Sequence, residues 1–73
     1  MNPMQIDTEE KARLAVESWR TEPARAQVRN LTIAIEAMEL NQMYYEQKGS
    51  EKGVQRMENG MQILKARQKE LNE

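Results

Sequence analysis

The chain has 73 residues, enough for one domain whose core is marginal without efficient helix packing or a partner. It contains no cysteine and no histidine, which removes disulfide staples, thiolate and imidazole metal sites, and the commonest general base. Eleven basic against twelve acidic side chains leave a net charge of −1, which argues against a dedicated nucleic-acid binder resting on many phosphate contacts.

The opening MNPMQIDTEEK lacks a basic region followed by an apolar run, and no later stretch is long and apolar enough for a bilayer. A cytoplasmic location, or export by a route that leaves no classical signal, is therefore expected, with no membrane partner. Residues 1–6 read as a flexible tail, and 7–73 as a single helical domain.

Asp7 followed by Glu10 has the spacing of a capping box, so a first helix is expected over about 8–20. At about 100° per residue, Ala12, Ala15, Val16 and Trp19 share one face, while Leu14 points nearly opposite. Thr21 is suited to cap a second helix and Pro23 fits a first turn, where a missing N–H costs nothing. Residues 22–48 then run without a breaker and carry two apolar stripes. One holds Ala24, Val28, Leu31, Ile35, Met38, Gln42 and Tyr45; the other holds Ala26, Ile33, Ala37, Leu40 and Tyr44. Two stripes imply neighbours on more than one side.

In KGSEKG, Gly49 is placed just past a helix end and Ser50 at the next N-cap. So short a turn makes the second and third helices antiparallel neighbours. Residues 51–72 give an a/d seam of Val54, Met57, Met61, Leu64, Gln68 and Leu71, with Gly53 and Gly60 on or beside it. The expected architecture is all-α: a long antiparallel hairpin preceded by a shorter helix, with dimerisation into a larger bundle as an extension.

No constellation for catalysis stands out, and a small hairpin leaves little room for a ligand-sized pocket. The chain therefore reads as a non-enzymatic protein-binding module of the adaptor, co-chaperone, inhibitor or assembly-factor kind. No cofactor, metal or small-molecule ligand is expected. Its partner would be another protein or a second copy. The candidate contacts are Trp19, Ile33, Leu40, Met43 and Tyr44, apolar residues that one short N-terminal helix cannot all cover. Trp19 is expected foremost to pack inside its own chain, where Gly60 leaves room for a bulky neighbour, and otherwise to serve as the aromatic anchor of a dimer. The alternative is a dimeric regulator touching nucleic acid through Arg56, Lys65, Arg67 and Lys69 on the third helix.

Overall fold

Helix boundaries follow the caps. In the computed structural model, which describes residues 1–73, the helices are α1 (Glu9–Trp19), α2 (Ala24–Lys48) and α3 (Glu51–Asn72). A 3-10 turn at Pro3–Gln5 precedes them. The fold is the expected all-helical one, a shorter helix followed by two longer ones that pack together.

The cap of α1 lies one residue later than Asp7. Thr8 is extended, and its Oγ1 accepts from the Lys11 amide at 3.1 Å. Asp7 instead pairs with Lys11 Nζ at 3.0 Å, an exposed contact of small worth. At the start of α2, Pro23 is itself the N-cap and no side chain caps the helix, so Thr21 does not take that role. The far end matches its expectation closely. Gly49 adopts φ 73°, its amide donates to the Glu46 carbonyl at 3.1 Å, and the Ser50 amide donates to Tyr45 at 2.9 Å. This pair of bonds is the Schellman arrangement. Ser50 Oγ then accepts from the Gly53 amide at 3.2 Å and starts α3.

Polar ties along the hairpin set its antiparallel register. Gln42 Nε2 donates to Glu58 Oε2 at 3.1 Å, and Gln68 Nε2 donates to Thr32 Oγ1 at 3.0 Å. The molecule measures 39 Å along its longest axis, close to the ~37 Å length of a 25-residue helix, so the hairpin sets its length. α1 lies against α3, starting where the Thr8 carbonyl passes over Gly60. It must end beside the start of α2, which faces the end of α3, so α1 and α3 run parallel.

One cluster of twelve buried apolar residues joins all three helices, so no helix has a core of its own. α1 supplies Ala12, Ala15, Val16 and Trp19; α2 supplies Leu31, Ala34, Ile35 and Met38; α3 supplies Met57, Met61 and Leu64. The twelfth is Ile6, so the expected flexible tail over residues 1–6 ends in a core residue. Asn2 Oδ1 caps the Pro3–Gln5 turn by accepting from Met4 N at 2.9 Å, and the turn lies along α2. That placement drives Ile6 inside. Gly60 also differs from expectation: a Cβ there would meet the Met38 thioether and the Thr8 carbonyl, not Trp19.

Ile6→Ala is expected to lower stability by about 3 kcal/mol, the cost of a buried cavity. Urea unfolding followed by far-ultraviolet circular dichroism measures it; a change under about 0.5 kcal/mol would return residues 1–6 to the status of a tail.

Candidate interaction surface

α2 has an inner and an outer side. The inner stripe meets the core, with Leu31, Ile35 and Met38 buried and Val28, Gln42 and Tyr45 half-buried. The outer stripe is progressively uncovered toward the hairpin tip. Ile33 and Ala37 are half-buried, whereas Leu40 is 68% exposed and Met43 and Tyr44 are each 55% exposed. Leu40, Met43 and Tyr44 stand at i, i+3 and i+4, hence on one patch of helix surface.

The N-terminal turn extends that patch. Met4, itself largely exposed, lines a shallow groove of about 310 Å³ with Ile33, Ala37 and Leu40, between Glu36 and Asn41. Sequence reasoning missed Met4 because it lies outside any periodic stretch, and only the 3-10 turn brings it onto α2. By contrast, the outer side of α3 is polar, with Gln55 Nε2 donating to Asn59 Oδ1 at 2.7 Å. On α1 the exposed Leu14 is isolated.

The adjacent tyrosines divide between the two sides of α2. Tyr45 lies over Gly53, where any Cβ would collide with its ring. Its hydroxyl accepts from Arg56 Nη2 at 3.0 Å, and the same guanidinium sits 5.3 Å from the ring centroid. Tyr45 is thus a packing residue that closes the hairpin near its turn. Tyr44 meets Tyr45 edge-on at 5.5 Å and carries Lys48 Nζ 5.4 Å from its own centroid. The rest of its ring faces solvent.

Trp19 is 2% exposed and belongs to the core, which matches the expected packing inside its own chain and removes it from the candidate contacts. With Ala12, Ala15 and Val16 on the same face, it anchors α1 and is not available at the surface. The basic residues of α3 divide between two flanks, as their spacing in the sequence sets out. Arg56 and Arg67 lie on one flank of the helix and Lys65 and Lys69 on the other, by helical spacing. Arg56 is held by Tyr45.

Arg67 departs furthest from its assignment as a surface cation. Its side chain is 16% exposed, and Nη2 donates to Gln27 Oε1 at 3.1 Å. Gln27 is buried, and its Nε2 donates to the Glu22 carbonyl at 2.7 Å and to the Arg20 carbonyl at 3.4 Å. The pair therefore ties the α1–α2 connection to the end of α3. The Arg67 Nε is buried without a partner, so the tie is incompletely satisfied. Its Nη1 reaches Glu70 at 3.7 Å, a contact exposed on the glutamate side.

No family model, curated protein or solved structure matches the chain.

Gln27→Ala should destabilise the fold by about 2 kcal/mol, because it leaves Arg67 Nη2 and the Glu22 carbonyl without their partner in a covered site. The exposed Lys65→Gln, on the opposite flank of α3, should change stability by less than about 0.5 kcal/mol. Equal effects in parallel chemical denaturation curves would show that the Gln27–Arg67 tie is not structural.

Proposed function

We propose that this chain is a helical protein-binding module that docks another polypeptide along the outer side of α2. The observation that carries the reading is the exposure of Leu40, Met43 and Tyr44 on one patch, on a helix whose inner side is already filled by its own core. Ile33, Ala37 and Met4 continue the patch toward the start of α2.

The physical basis is burial of apolar area. A leucine, methionine or aromatic side chain taken fully out of water contributes about 1.5–3 kcal/mol. These three are already partly covered, and association costs several kcal/mol in lost freedom. A contact of this size favours exchangeable binding over permanent assembly. Methionine adapts its shape to a partner surface, and tyrosine contributes a rigid ring with a polar tip. Glu36, Glu39 and Asn41 border the patch and would supply a polar rim.

A photo-crosslinking side chain at Tyr44 should capture protein from a cell extract, while one at Gln62, exposed on α3, should capture little. Adding Leu40→Asp should lower the Tyr44 adduct by about tenfold, equivalent to roughly 1.4 kcal/mol of binding. It should leave stability within about 0.5 kcal/mol, since Leu40 is exposed. Equal capture at Tyr44 and Gln62 would overturn the assignment.

A further inference from the structure

The outer side of α2 carries its own alternating three- and four-residue spacing: Arg29, Ile33, Glu36, Leu40, Met43 and Gln47. This is the spacing of a helix–helix seam; within the chain no α-helix occupies it, and the Pro3–Gln5 turn borders it at mid-length, where Met4 stands beside Ile33, Ala37 and Leu40. The charges on and beside it divide by position. Arg25 and Arg29 stand near the start of the helix; Glu36, Glu39 and Glu46 follow beyond Ile33. All five are exposed, and none forms an ion pair in the chain, whose four ion pairs lie on other elements.

A helix face that is positive at its start and negative toward its end complements an antiparallel copy of itself. Laid parallel, it opposes itself, arginine on arginine and glutamate on glutamate. We propose that the occupant of this face is a second copy of the chain, docked antiparallel across a two-fold axis near the Ile33–Glu36 step. The proposal rests on the reading that the outer side of α2 is a docking surface, and it names what docks there.

In this register Arg25 lies beside the second copy's Glu39 and Glu46 and Arg29 beside its Glu36 and Leu40; the two Glu36 carboxylates meet near the axis as the one like-charge contact, which the Arg29 side chains offset. Met43 covers the second copy's Ala26, and Ala37 with the adjoining Met4 of each copy flanks the axis. Every contact occurs twice by symmetry. The axis falls close to the middle of α2, so nearly the whole helix takes part. A strip about 37 Å long and about 10 Å wide buries roughly 400 Å² per copy, half of the ~800 Å² of a standard interface. The dimer is therefore weak, and its charge pairs decide its orientation.

The test is molar mass by light scattering across a concentration series reaching about 1 mM, the range in which so small an interface associates. Two variants are compared with the parent: Arg25→Glu with Arg29→Glu, and Glu39→Lys with Glu46→Lys. The parent should form dimers. Each variant alone should dissociate at least about tenfold more readily, and an equimolar mixture of the two should recover to within about threefold of the parent. All substituted positions are exposed, and circular dichroism checks that each variant is folded. The chain has no native cysteine, so Ala26→Cys and Met43→Cys chains can be mixed and oxidised without side reactions. The expected product joins position 26 to position 43, and a predominance of 26–26 and 43–43 links would overturn the orientation. A parent that stays monomeric throughout overturns self-docking. If the Tyr44 crosslinker still captures a foreign protein in that case, the binding surface stands and only its occupant is wrong; if it captures nothing, both readings fall.

Discussion

The hairpin closes as tightly as it does because two positions on α3 carry no side chain. The Tyr45 ring lies where a Cβ on Gly53 would project, and the Met38 methyl lies where one on Gly60 would. Glycine within a helix costs about 1 kcal/mol relative to alanine. Here that cost admits an aromatic ring at the turn end and a thioether at mid-length, both packed against the α3 backbone. The start of α1 depends on the second gap too, since the Thr8 carbonyl crosses the same bare stretch. Ala12, Ala15 and Ala34, all fully buried, let α1 approach closely from there. A bundle of this size reaches a shared core by bringing backbones together, because it has too few large side chains to fill wide gaps.

That economy leaves the polar groups with divided tasks. Gln27 and Arg67 hold the α1–α2 connection to α3 from inside the fold, and Arg56 braces Tyr45 at the other end. Two of the four cations grouped on sequence grounds as a basic surface are thus engaged within the chain. The exposed large apolar side chains concentrate on the outer side of α2, where charges of both signs also stand without an ion pair. The case for a binding surface comes from that concentration, since exposed apolar residues scattered singly need no explanation.

The parts of this fold legible in the sequence are those governed by local chemistry. Gly49 and Ser50 specify a chain reversal by backbone conformation and capping alone, and the α3 seam repeats through three heptads. Asp7 and Thr8 compete for the same cap, and which one wins depends on where the preceding turn leaves the chain. Ile6 and Met4 carry no periodic signal, because a 3-10 turn places them through tertiary contact alone. Arg67 looks like a surface residue by type, and its burial against Gln27 follows from where the α1–α2 connection lies, which no single helical pattern encodes. Trp19, by contrast, packs on the apolar face it shares with Ala12, Ala15 and Val16. Leu40, Met43 and Tyr44 were legible because exposure on a long helix follows from counting which sides its neighbours occupy.

The burial of Trp19 has a spectroscopic consequence. It is the only tryptophan, it sits at the last position of α1, and it is nearly inaccessible to solvent. Its indole emission therefore responds to the docking of that one helix against the hairpin. Helicity summed over the backbone is dominated by α2 and α3, which together hold 47 residues (25 + 22) against the 11 of α1. The two signals weight different parts of the molecule. Coincident transitions would mark a single cooperative unit, and an emission change ahead of the loss of helix would mark α1 as the element that lifts first.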